Sequence, residues 1–110
     1  MTPAGQLSTV IKSLADPTRR SVFERIAGEG EIAATALVKG SNVSQPAVSQ
    51  HLRALRDAGL VTERREGRHI YYRAAPKGLA PLTDWLSHYE AFWRERLDHL
   101  EKLLEEGGDE

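Results

Sequence analysis

Val43-Ser44-Gln45-Pro46-Ala47-Val48-Ser49-Gln50-His51-Leu52-Arg53-Ala54-Leu55-Arg56-Asp57-Ala58-Gly59-Leu60-Val61 carries the reading of this chain. Ser44 offers a capping hydroxyl at one end and Gly59 a stop at the other, so a helix is expected between them. Val48, Leu52 and Leu55 fall at i, i+4 and i+7 and predict one buried stripe. Gln45, Ser49, Gln50 and Arg53 come out on the opposite side. Amides, a hydroxyl and a guanidinium are the groups that read base edges in a DNA major groove. A helix of this kind anchors in a core on one face and enters a groove on the other, as a recognition helix does.

The flanks support that expectation. Upstream, Gly40-Ser41-Asn42 makes a tight turn after a short helix over roughly Ala33 to Lys39, with Leu37 and Val38 inward. Residues 33–58 thus read as a helix-turn-helix. Earlier still, Leu7, Val10, Ile11 and Leu14 mark a first amphipathic helix over 7–15. Asp16-Pro17 restarts a second helix with inner residues Val22, Phe23 and Ile26, ended by Gly28-Glu29-Gly30. Downstream, Leu60–Arg65 and His69–Arg73 alternate as strands about a Glu66-Gly67-Arg68 turn, giving a basic wing over 60–73.

Beyond Pro76-Lys77-Gly78, apolar residues recur every three or four positions from Leu79 to Leu104. One helix of that length would be roughly 39 Å long, more than the core of a small domain covers. Its stripe is expected to meet a second copy across a two-fold axis. The expected interface is Leu7, Val10, Ile11, Leu14, Leu82, Trp85, Leu86, Tyr89, Phe92, Trp93, Leu97 and Leu100. Residues 105–110 read as a frayed acidic tail. The fold class is therefore mainly α with a small β-hairpin wing, a winged helix-turn-helix dimerising through its first and last helices.

Composition narrows the function. A chain of 110 residues suits a single domain over 1–110. The absence of cysteine excludes disulfides and thiolate metal sites. No apolar run reaches membrane-spanning length and the N-terminus lacks signal-peptide features, so a cytoplasmic protein without a membrane partner is expected. A net charge of −1 hides a strong asymmetry: residues 44–73 hold six Arg against three acidic residues, and residues 74–110 hold four basic against nine acidic. A basic middle with an acidic helix behind it suits a DNA-facing surface. Neither a nucleophile elbow, a phosphate loop nor a paired carboxylate in a pocket-like context is present, so an enzyme is not expected.

Double-stranded DNA is the expected partner, contacted by Gln45, Ser49, Gln50 and Arg53 at bases or phosphates and by Ser44 at the helix start. Arg56 is either a phosphate contact or the partner of Asp57 or Glu63. Arg64, Arg65, Arg68 and His69 of the wing are expected on phosphates. His51 sits at the edge of the apolar stripe, a packing or phosphate-contacting position. No cofactor is expected. Asp84, His88, His99 and Glu101, with Asp98, form the one candidate set for zinc or nickel, otherwise surface groups. Trp85, Tyr89, Phe92 and Trp93 line either a small-effector pocket or the dimer core. A protein-interaction module, docking a partner such as a sensor protein through the winged helix or the aromatic terminal helix, is the rival function.

Leu14 to Arg20, Ser44 to Val61 and Arg64 to Tyr72 together resemble the ArsR/SmtB family of bacterial winged-helix regulators, over about residues 7–104. The resemblance implies a dimer that binds an inverted repeat, usually as a repressor, and is released by an effector. Many members sense metal through a Glu-Leu-Cys-Val-Cys pattern, and here that register reads Glu31-Ile32-Ala33-Ala34-Thr35. Others use an Asp-x-His…His set, whose positions fall near Pro76, Gly78 and Tyr89. The chain is similar to a cysteine-free branch without the standard metal sites.

Overall fold

In the computed structural model, which describes residues 3–108, helix α1 (Pro3–Ala15) ends where Asp16 precedes a proline. That position is pushed out of helical geometry, and Asp16 is extended at φ −71°, ψ 119°. Its carboxylate accepts the Arg19 amide at 2.8 Å and caps α2 (Pro17–Glu29), whose first turn tolerates Pro17. Gly30, at φ 83°, closes α2. Then follow β1 (Glu31–Ala33), α3 (Ala34–Lys39), α4 (Gln45–Asp57), β2 (Val61–Glu66) and β3 (His69–Ala74). A 3-10 turn over Pro76–Leu79 leads into α5 (Ala80–His88) and α6 (Glu90–Gly108).

The sheet is antiparallel in the order β1-β3-β2. Glu66 pairs with His69, leaving Gly67 and Arg68 as a two-residue loop, with Gly67 at φ 61°. On the far edge of β3, Ile32 of β1 pairs with Tyr72. Ile32, Val61 and Tyr72 are buried on the inner face and join Ile26, Leu37, Val48, Leu52, Leu55 and Leu60 in one core. β1 was not anticipated: it occupies the approach to α3, which starts at Ala34 rather than Ala33.

Four expectations need correction. Val10, expected at the dimer interface, is 2% exposed within the protomer's own core, while its neighbour Ile11 is 44% exposed on the other side of α1. The single terminal helix is two helices. Tyr89 leaves helical geometry at φ −109°, ψ 1°, donating to the Leu86 carbonyl at 3.1 Å and accepting from the Trp93 amide at 2.9 Å. The acidic tail is helical through Gly108, because α6 continues past Leu104; Asp109 and Glu110 lie outside the described residues. Finally, α1 begins at Pro3 rather than Leu7.

α5 packs along α1, while α6 buries none of its described residues and stretches the molecule to 64 Å in its longest direction. The 3-10 turn presses backbone to backbone on the end of α4: a Cβ at Gly78 would lie 2.0 Å from the Gly59 carbonyl oxygen. No described helix is long and apolar enough to cross a membrane.

Candidate nucleic-acid interface

The helix-turn-helix is built from local contacts. The Gly40 amide donates to the Ala36 carbonyl at 3.1 Å, and the Val43 amide donates to the Ser41 hydroxyl at 3.3 Å. Arg25 of α2 reaches over Gly40 to the Leu37 carbonyl at 3.2 Å, tying down the end of α3. Ser44 is extended and its hydroxyl accepts the Ala47 amide at 3.4 Å, which caps α4. At the other end Leu60 donates to the Leu55 carbonyl at 2.9 Å and Gly59 to that of Arg56 at 3.0 Å. With Gly59 at φ 77°, this is a Schellman stop.

Between those caps the two faces separate as expected. Val48, Leu52 and Leu55 are buried, and Gln45, Ser49, Gln50 and Arg53 are exposed. None of these four side chains has a hydrogen bond or ion pair among the described residues. His51 is half-buried, with Nδ1 closed from solvent and unpartnered among the described residues, which turns its ring toward the protein. Lys39, at the end of α3, is exposed and shares a shallow groove with Gln45 and Ser49. Sequence reading passed over it. The signal was available, since the first helix of such a pair crosses the DNA backbone.

The wing divides its cations into two groups. Arg65 and Arg68 are exposed without an ion pair among the described residues, and His69 is exposed with its ring centroid 6.3 Å from that of Tyr71. Arg56 resolves toward the internal alternative, pairing with Glu63 of β2 at 3.2 Å. The Tyr72 hydroxyl donates to the same carboxylate at 3.4 Å, so α4, β2 and β3 meet at Glu63. Burial, then the Glu63 charge, pushes the Tyr72 hydroxyl above its ordinary pKa.

Arg64, expected on phosphate, is engaged within the chain's own sheet. Its Nη2 donates to Glu31 Oε1 at 2.8 Å, Nε to Glu31 Oε2 at 3.3 Å, and Nη1 to Glu66 Oε2 at 2.7 Å. The guanidinium lies 4.6 Å from the Tyr71 ring centroid. Its hydrogen bond holds the Glu31 carboxyl below the usual carboxylate range, with the Arg64 and Arg73 charges adding to the effect and burial opposing it. Glu63 was named only as one alternative partner of Arg56, and Glu31 was not singled out as a site residue because its partner Arg64 lies 33 positions along the chain.

The terminal helices hold the remaining candidates. Asp84, His88, His99 and Glu101 are all exposed, and the break at Tyr89 puts the two histidines on separate helices. Among the described residues, no three His, Asp or Glu side chains converge as a metal site within the chain. The Trp85 and Tyr89 rings are tilted at 60° with centroids 5.3 Å apart, and Phe92 and Trp93 meet edge to face at 5.5 Å, all four exposed. Of these, Trp85 alone borders the groove of about 980 Å³ between α1, the end of α4 and α5. Leu7, Val10 and Pro81 wall that groove, with Asp57, Lys77, Asp84 and His88 supplying polar groups.

A capped helix after a tight turn, polar outside and followed by a basic hairpin, defines a winged helix-turn-helix protein. A model of a helix-turn-helix domain matches residues 14–64. The HTH-type transcriptional regulator Rv2034 of Mycobacterium tuberculosis is 40% identical over 99 residues, spanning 90% of this chain and 89% of that one. The transcriptional repressor SdpR of Bacillus subtilis is 30% identical over 76% of this chain and 91% of its own. An ArsR-like transcriptional regulator from Rhodococcus sp. RHA1 superposes with a TM-score of 0.72 at 30% identity, covering 91% and 93% of the two chains. The chain belongs to the ArsR/SmtB family of winged helix-turn-helix transcriptional regulators.

Proposed function

We propose that the chain is a homodimeric repressor of an inverted-repeat operator, with α4 in the major groove and the wing on the flanking backbone. The observation carrying this reading is the exposed set Gln45, Ser49, Gln50 and Arg53, unpartnered among the described residues, opposite a fully buried stripe. Two such helices about one DNA turn apart would read two half-sites. Dimerisation is supported by the apolar surface left uncovered: Ile11, Trp85, Leu86, Phe92, Trp93, Leu97 and Leu100 are each more than two-fifths exposed, six of them on α5 and α6. Contiguous apolar surface of this kind marks a protein contact. Release is assigned to an organic effector or a sensor protein acting on the groove and terminal helices, because the groove touches both the end of α4 and α5.

Fluorescence anisotropy on a duplex of the chain's own upstream DNA, at two salt concentrations, tests the reading. The expected result is tight binding that weakens steeply with salt, ignores added zinc and nickel, and is abolished by Arg53→Glu. Absence of binding at low salt would overturn the reading and leave a protein-interaction module. Release by either metal would overturn the metal-free trigger.

A further inference from the structure

We propose that Arg64 is a staple that holds the wing in place rather than a phosphate ligand, and that Glu31 is the positioning residue that receives it. The inference rests on the DNA-binding reading above and deepens it. Strand order places Glu31 and Arg64 on opposite edges of the sheet, with β3 between them. Register places them on one face, because Glu31 pairs with Arg73, Arg64 with Tyr71 and Glu66 with His69, all at alternate positions of β3. The guanidinium therefore crosses β3 over the Tyr71 ring and grips the Glu31 carboxylate with two nitrogens. Its third nitrogen holds Glu66 beside the hairpin loop, and Arg73 Nε stands 3.8 Å from Glu31.

Isolated surface ion pairs contribute little, but a bidentate pair within a network of several charges is the arrangement that does fix geometry. Two carboxylates already neutralise Arg64, so a DNA phosphate would have to displace a two-point contact to use it. Glu31 is also placed to matter. It lies in β1, which runs directly into α3, so the staple joins the wing to the start of the helix-turn-helix. Arg65 and Arg68, without ion pairs among the described residues, are left as the wing's phosphate ligands.

The charge-neutral double variant Glu31→Gln/Arg64→Gln separates a staple from a ligand, measured by anisotropy on the upstream duplex across a salt series. Losing three charge-assisted hydrogen bonds and the wing's position is expected to weaken binding about tenfold. The slope of log affinity against log salt should stay unchanged, whereas Arg65→Ala and Arg68→Ala should each flatten it by about 0.9. Arg64→Lys, which keeps the charge but loses the fork, should weaken binding as the double variant does. Unchanged affinity in the double variant, a slope flattened by about 0.9, or full activity of Arg64→Lys would each overturn the staple. Hydrogen exchange on the free protein gives a readout independent of DNA: β1–β3 amides should exchange faster in the double variant, and unaltered protection would overturn the proposal. Failure of the wild-type chain to bind the duplex would sink the DNA-binding reading while leaving that exchange result to decide on the staple.

Discussion

Replacing Gly78 by alanine should destabilise the protein, although the same change elsewhere in it should do the reverse. A methyl at Gly78 would sit 2.0 Å from the Gly59 carbonyl oxygen, 2.8 Å from the carbonyl carbon and 3.0 Å from the Leu60 Cα. Ordinary contact begins at 3.4 Å, so the 3-10 turn and the end of α4 would have to part by more than an ångström. Both sides are backbone, and the Gly59 side is held by the Schellman hydrogen bonds, so no side chain can swing away. Overpacking of this kind costs about 1–3 kcal/mol, and here the upper end applies. Restricting the unfolded chain returns about 0.4–1 kcal/mol, leaving a net loss of about 2 kcal/mol. Urea unfolding at one fixed protein concentration should show a midpoint about 1 M lower with an unchanged slope. Gly28 in α2, where a Cβ meets nothing within 4 Å, is the control. Its alanine variant should gain about 0.5 kcal/mol. A Gly78→Ala variant as stable as the wild type would refute the close approach and the argument built on it.

Ser44→Ala removes the side-chain acceptor of the Ala47 amide and should cost about 1 kcal/mol in the same urea assay. Tyr72 gives a pH signature: its folded-state pKa lies above 10.0, so its contribution is complete below that pH and is lost as pH rises further. Tyr72→Phe should therefore flatten the alkaline fall of the stability curve, and an equally steep fall would show that the hydroxyl is not the cause. Leu97→Lys with Leu100→Lys places two cations in the exposed stripe of α6 and should convert the protein to a monomer in sedimentation equilibrium. An unchanged dimer would move the interface elsewhere.

What could be read from the sequence was whatever short-range chemistry decides. Asp16-Pro17, Ser44, Gly59 and Gly67 each act within a few residues, and their caps, stop and turn stand where they were expected. The outward face of α4 was legible for the same reason, since helical spacing alone separates it from Val48, Leu52 and Leu55. β1 was not legible: three residues have no useful period, and their strand geometry comes from pairing with Tyr71–Arg73 some forty positions on. The break at Tyr89 was masked because apolar residues recur every three or four positions straight through it in the sequence. Val10 and Ile11 expose a different limit. Periodicity marks both as apolar, yet cannot tell which faces the protomer's own core and which faces outward. Arg64 shows it for charge, because a guanidinium counted as free in the sequence is held by a carboxylate on another strand.

The shortness of the link between α4 and β2 has a mechanical consequence. Ala58, Gly59 and Leu60 alone separate them, the Schellman bonds leave that corner little slack, and Arg56–Glu63–Tyr72 bolts it from inside. Under the proposed DNA-binding reading, the two tips thus form a caliper with fixed jaws, unable to stretch or shorten the distance between groove and flank. In the proposed dimer, operators that differ in the gap between their half-sites would be accommodated by rotation of one protomer against the other.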